Sequence, residues 1–320
     1  MLGKGGSAMS EVWNKEENRR VNLIVLLTLL SYLIGSILAS FTKVTAIQLV
    51  VIQVFCVAPG LIALRMMRDG RSYGRAFTET YRVHKLRFSV ILLAALMMLF
   101  LMPLLTLVNL VSQQFTSYVA GEDIMGRIQN YPFAVSLLCV GILPAIGEEL
   151  VYRGLMYGHY RKRSILMGAL LTGLIFGLMH GNLNQMAYAW LMGFVFAMVD
   201  EATGSTVSSM VMHALVNCGS VIIIYIVKWY PGTIADDATE TVTLSPKMAA
   251  GYLVAATVGA YFAYRIYHEI AYRCCTEVQI QEDMKKPGRM KALRDMFTAP
   301  LVVTIVILTA LVIATEIKLS

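Results

Sequence analysis

Residues 132–157 read PFAVSLLCVGILPAIGEELVYRGLMY, a run of membrane grade except for the charges in Ile146-Gly147-Glu148-Glu149-Leu150-Val151-Tyr152-Arg153. A bilayer crossing needs about 20 predominantly apolar residues, and this run supplies them. A carboxylate near the centre of such a helix costs roughly 2.5–3.5 kcal/mol on insertion scales. Two in succession, with an arginine four residues beyond the second, point to chemistry at membrane depth.

The rest of the chain agrees with a membrane setting. Of 320 residues 57% are hydrophobic and only 15% are charged, against about 25% charged in an ordinary soluble domain. Nine apolar segments are long enough to span, near 21–41, 44–64, 89–112, 132–157, 165–184, 186–203, 205–228, 248–268 and 299–317. The sixth is short and follows the fifth closely, so the expected fold is an all-α transmembrane bundle of about eight or nine spans. The first apolar stretch is too long for a cleaved signal and reads as a retained helix.

The net charge of +7 does not indicate nucleic acid, because the bases cluster in alternate loops. Loops 65–88, 158–164 and 269–298 hold most of the Lys and Arg, whereas the opposite side holds Lys43, Arg127, Lys228, Lys247 and Lys318. That side also carries an acidic loop near 231–246, with Asp236, Asp237 and Glu240. By the positive-inside rule the N-terminus is cytoplasmic. The organisation expected is a tail at 1–20, membrane helices with a basic loop at 21–130, a catalytic core at 131–230, and C-terminal helices at 231–320. The polar loop 269–298 in the last segment suits an interfacial helix. Cys56, Cys139 and Cys218 read as packing residues, and Cys274 and Cys275 show no metal spacing.

Three polar pairs at four-residue spacing sit in three nearby spans, each pair on one helix face. They are Glu149 with Arg153, Phe176 with His180, and His213 with Asn217. Arg153 cannot face Glu148 and Glu149 equally, because successive residues are turned by about 100°. One glutamate is therefore structural and the other is left to react. Pro144 removes a helix hydrogen bond and frees the Val140 carbonyl, which favours a kink beside the site. Gly168, Gly173, Gly177 and Gly181 give the fifth helix a thin face for a close neighbour. His84, His159 and His268 read as surface residues, and Asp200 and Glu201 as caps of a turn. Counted from the loops, Glu148 and His213 lie nearer the basic end and His180 nearer the other. A tilt, or a fifth helix that starts below the membrane surface, would bring them level.

The three segments Glu148-Glu149-Leu150-Val151-Tyr152-Arg153, Phe176-Gly177-Leu178-Met179-His180 and His213-Ala214-Leu215-Val216-Asn217 resemble, in order, the motifs of the CAAX protease and bacteriocin-processing (CPBP, Abi) family of intramembrane endopeptidases. Gly181-Asn182-Leu183-Asn184-Gln185 looks like bacterial members, which implies a bacterial plasma membrane. The resemblance covers about residues 130–230. It implies a peptidase acting on membrane-associated peptides or protein tails, such as CAAX-like tails or bacteriocin or pheromone precursors. Glu148 would activate water, His180 would help hold it, His213 and Asn217 would stabilise the oxyanion, and Arg153 would hold Glu149, with Phe176 in support. No cofactor is favoured. The alternative within the same chemistry is a zinc site of Glu148, His180 and His213, although no His-Glu-x-x-His motif is present and Asn217 suits an oxyanion better than zinc. Two other classes compete: a non-catalytic immunity or signalling-regulator protein, and a proton-coupled transporter, for which no internal repeat is visible. The partners expected are the lipid bilayer and a peptide substrate, with no nucleic acid. Substrate identity and oligomeric state are not readable from the chain.

Overall fold

The computed structural model describes residues 14–67, 70–116, 126, 128, 130–230 and 244–319. The described residues form twelve helices and no strand. In chain order these are α1 (Lys15–Ala39), α2 (Thr45–Met67), α3 (Tyr73–Thr80), α4 (Phe88–Gln113), α5 (Phe133–Tyr160), α6 (Ile165–Leu178), α7 (Leu183–Thr203), α8 (Val207–Trp229), α9 (Pro246–Arg273), α10 (Glu277–Lys285), α11 (Arg289–Met296) and α12 (Ala299–Leu319). A helix thus lies over each of the nine apolar segments. Six of them (α1, α2, α4, α5, α8 and α12) are long and apolar enough to cross a membrane. Helices α7 and α9 fall outside that group, since α7 carries Asn184, Gln185, Asp200 and Glu201, and α9 carries Lys247, Arg265, Glu269 and Arg273. Asp236, Asp237 and Glu240 of the expected acidic loop, with Arg68 and Arg127, lie outside the described residues.

Many apolar side chains point outward. Ile37, Leu99, Val254 and Val306 are each at least 60% exposed. Apolar surface of that extent is a liability in water and ordinary in lipid, so the chain is an integral, multi-pass membrane protein.

The fifth segment departs from the expected span. Helix α6 has 14 residues, about 21 Å at 1.5 Å per residue, which is short of a hydrocarbon core of about 30 Å. It ends at Leu178, and the chain turns through His180 and Gly181 into α7. Gly181 is therefore not on the helix face but in the turn, at φ +69°. Gly173 and Gly177 let the hairpin close, while Gly168 faces Tyr160 at the end of α5. A Cβ on Gly173 would lie 2.8 Å from the Phe194 nitrogen, and one on Gly177 would lie 2.6 Å from the Met186 oxygen. Ser164 caps α6 through the Met167 N–H at 3.4 Å, and Asn182 caps α7 through the Gln185 N–H at 2.8 Å.

The expected polar loop at 269–298 is largely helical, because α9 runs to Arg273 and α10 and α11 follow. These short helices are docked at the basic end of the bundle. Asp283 of α10 accepts the Ile165 N–H at 2.9 Å, which caps α6 from outside. Asn18 and Asn22 donate to the Met296 carbonyl at 3.1 and 2.9 Å. Arg163 holds Asp295 at 2.8 Å, and that hydrogen bond keeps the Asp295 carboxyl below the usual carboxylate range. Beneath this layer lies a core of Tyr152, Met156, Leu171, Ile175 and Phe176 from α5 and α6 with Leu301 and Leu308 from α12.

Candidate active site

Glu148 and Glu149 lie between two π-helical stretches of α5, Leu137–Ile142 before them and Leu150–Tyr157, which contains Arg153, after them. Such widened turns are rare and recur at functional sites. The first contains the carbonyl that Pro144 frees. That carbonyl, of Val140, is not left unpaired: Asn217 of α8 donates to it through Nδ2 at 3.2 Å. The proline and the asparagine of a different motif therefore belong to one local solution, which fixes the amide of Asn217 beside α5.

Glu149 and Arg153 are both completely buried. Arg153 Nη1 lies 3.0 Å from Glu149 Oε1, yet none of the three guanidinium nitrogens makes an aligned hydrogen bond among the described residues. The contact is an ion pair whose angle falls short of a hydrogen bond. Aromatic faces supply the remaining neighbours. The guanidinium carbon lies 4.2 Å from the Phe176 ring centre, 5.3 Å from Phe196 and 6.0 Å from Tyr152, distances at which a desolvated cation is attracted to a ring face.

Glu149 Oε1 also takes His213 Nδ1 at 2.8 Å. A carboxylate can only accept, so Nδ1 carries the hydrogen and Nε2 is the free nitrogen. His213 thus joins the Glu149–Arg153 pair directly, a link that the motif spacings alone did not indicate. Helix α8 is set in place one turn earlier, where the fully buried Asp200 accepts from the Ser208 hydroxyl at 2.7 Å, the Ser209 N–H at 3.0 Å and the Ser209 hydroxyl at 2.9 Å. Asp200 is the cap expected of it. Glu201 instead clamps Arg161, with contacts of 2.5 and 2.6 Å.

Phe176 is the hub of the three motifs. Its ring centre is 5.0 Å from that of His180, 5.8 Å from His213 and 5.2 Å from Tyr152, all edge-on. The His180 ring is held by its own helix, with Nδ1 2.9 Å from the Phe176 carbonyl. Here too the acceptor fixes the hydrogen on Nδ1 and leaves Nε2 unassigned. The depth mismatch is removed by the short α6: its C-terminal end, not its middle, stands level with the middle of α5.

Glu148 is half-buried, unlike Glu149. Its hydrogen-bond partner is Gln53 of α2, which donates from Nε2 to Oε1 at 3.1 Å. His180 feels the charges of Glu148, His213 and Arg153, so these four residues share one neighbourhood. Among the described residues no group of three or more His, Cys, Asp or Glu side chains is set to hold an ion. The Glu149 carboxylate on His213 Nδ1 leaves Nε2 of that ring open.

Residues 130–219 match the family of type II CAAX prenyl endopeptidase Rce1-like proteins. That segment of the chain, and not the whole of it, is similar to this family. All three motifs fall inside that segment. The chain is also 28% identical over 97 residues to a Bacillus subtilis (strain 168) protein described as "Putative membrane peptidase YdiL". That stretch is 30% of this chain and spans 39% of the relative's length. No solved structure matches the chain.

Two polar residues outside the Rce1-like core escaped the reading by motif: Gln53 touches the site and Glu316 supports the turn beside it. Gln53 had a signal, a glutamine within an apolar span. Glu316 had none, being three residues from the end of α12. Its Oε1 accepts the Leu183 N–H at 3.0 Å and its Oε2 the Thr116 hydroxyl at 2.7 Å, so it pins the hairpin tip that carries His180. Glu316→Ala is expected to leave both donors without this acceptor, at about 1–3 kcal/mol. Amide hydrogen exchange across 181–185 should then speed up several-fold while exchange in α8 stays unchanged. One surface assignment is corrected: His159 is buried, at 3% exposure, and faces Glu17 at 3.6 Å, because Lys162 and Glu17 close over it. His84 is exposed, as read from the sequence, and His268, near the end of α9, is half-buried against Glu277.

Proposed function

We propose that the chain is an intramembrane endopeptidase that hydrolyses peptide bonds in membrane-associated peptides or protein tails, with Glu148 as the base. The observation that carries this reading is the Phe176 ring, in contact with Arg153, His180 and His213 at once, which joins three separate motifs in one place. The kinship of the core with type II CAAX endopeptidases and a membrane peptidase supports the same class of reaction.

In this scheme Glu148 takes a proton from a water molecule, and His180 Nε2 accepts the second hydrogen and orients the water. The water oxygen bonds to the scissile carbonyl carbon and the carbonyl electrons move onto oxygen. That oxyanion is met by the second N–H of Asn217 and by His213 Nε2–H. Nε2 donates only when the ring holds two protons, and Glu149 across the ring compensates that charge, as the carboxylate of a catalytic triad does. Collapse breaks the C–N bond, and the proton on Glu148 passes to the leaving nitrogen. Glu149 and Arg153 hold His213 in orientation and take no part in proton transfer.

The test is cleavage of a fluorogenic peptide library, including prenylated C-terminal tails and hydrophobic precursor peptides, by the purified full-length protein in lipid nanodiscs. Cleavage is expected, and its rate should change less than twofold on treatment with a strong chelator. Loss of activity with chelator and its return with zinc or cobalt would replace the water-activating carboxylate by a metal. An absence of any cleavage, with intact folding, would return the chain to a binding or regulatory role.

A further inference from the structure

The feature left unexplained is Gln53. It comes from α2, outside the Rce1-like core, yet it is the donor on the candidate base at 3.1 Å. Its amide orientation is fixed by chemistry, since the carboxylate oxygen can only accept and Nε2 must face it. Gln53 Oε1 is then buried with no partner. A buried amide acceptor left unpaired costs free energy, so this rotamer is not one that α2 would choose for itself. The backbone of α5 is shaped to receive it: a Cβ on Gly147 would lie 3.0 Å from Gln53 Oε1 and 2.9 Å from Val57. The glycine immediately before Glu148 is what lets α2 approach closely enough for the bond.

A glutamate has three rotatable side-chain bonds, and a half-buried one has no packing to hold its carboxylate. Glu149 is held by Arg153 and His213. Glu148 has no such partner on α5. We infer that Gln53 is a positioning residue for the reaction: by holding Oε1 of Glu148 it aims Oε2 at the water, so a helix outside the Rce1-like core completes the site. This inference rests on the reading of Glu148 as the base. The energetic logic is that of orientation, in which a misplacement of about 1 Å costs on the order of a hundredfold in rate. Gln53 makes no hydrogen bond to either histidine among the described residues, so its loss should leave their placement alone.

The experiment compares wild type, Gln53→Leu, Gln53→Met and Glu148→Ala on the best-cleaved peptide of the library, with thermal unfolding of each to show that the protein is folded. Gln53→Met preserves chain length and volume if Gln53→Leu does not fold. The expected result is a fall in kcat of about ten- to a hundredfold with KM within threefold and an unfolding midpoint close to wild type. A purely structural role would lower the midpoint and the folded fraction and leave kcat per folded molecule unchanged, which would overturn the inference. So would wild-type kcat in a folded Gln53→Met. If Glu148→Ala itself keeps wild-type turnover, the base assignment fails and the role of Gln53 fails with it. An inactive Glu148→Ala beside a fully active Gln53→Met removes only the role of Gln53.

Discussion

Glu148→Ala is expected to fold, to insert into membranes and to turn over substrate on the order of a thousandfold more slowly than wild type, the range for removal of a positioned general base. Its unfolding midpoint stays near that of wild type. Glu148 is half-buried and has no counter-charge on its own helix, so its truncation strands only the Gln53 amide. Glu148→Gln, which keeps the shape but cannot take a proton, should be as inactive as the alanine variant. That agreement would assign the loss to proton transfer and not to packing. The measurement is steady-state cleavage of the library peptide per folded molecule, with thermal unfolding alongside. Turnover within tenfold of wild type in either variant would remove Glu148 from the chemistry. Glu149 should fail differently. Its loss leaves a buried arginine unpaired and His213 without its acceptor, so Glu149→Ala loses stability as well as activity. Two adjacent glutamates thus separate experimentally into one that reacts and one that supports.

Much of this arrangement is legible in the chain because α-helical spacing is rigid. Residues four apart share a face, so Glu149–Arg153, Phe176–His180 and His213–Asn217 each follow from counting. The Val140 carbonyl follows from Pro144, since a proline removes a fixed hydrogen bond. What counting cannot supply is how separate helices are set against one another. The His213–Glu149 contact joins residues 64 positions apart and depends on where α8 begins, which Asp200 decides. The depth of His180 depends on α6 stopping at Leu178, and its apolar sequence continues through Met179 without a break that marks the end. Gln53 and Glu316 act from helices whose sequences carry no motif; a glutamine in an apolar span marks Gln53 as unusual, but only placement shows what either residue meets. The surface assignment of His159 failed for the same reason: its burial comes from α1 folding over the end of α5, a contact between residues 142 positions apart.

Arg153 is the residue whose loss should cost the fold most. It is completely buried, beside an equally buried Glu149, and the surrounding structure is built to its shape. A Cβ on Gly193 of α7 would lie 3.0 Å from Arg153 Nη2, so even a neighbouring helix leaves space for the guanidinium. Arg153→Ala removes the cation and leaves Glu149 with only His213, and breaking a buried pair in this way costs about 3–5 kcal/mol. The single variant is therefore expected to unfold at a markedly lower temperature and to accumulate poorly. The double variant Glu149→Met/Arg153→Met should behave otherwise. The ion pair lacks aligned hydrogen bonds, and Glu149 Oε2 has no partner among the described residues, so replacing both charges by apolar chains of similar size removes two desolvation penalties together. Stability should return to within about 1–2 kcal/mol of wild type. Activity should not return, because His213 Nδ1 has then lost the carboxylate that orients the ring and compensates its charge. A double variant that is both stable and active would show that Glu149 and Arg153 are packing alone. One that is as unstable as Arg153→Ala would show that the pair, and not the unpaired charge, holds α5 to α6 and α8.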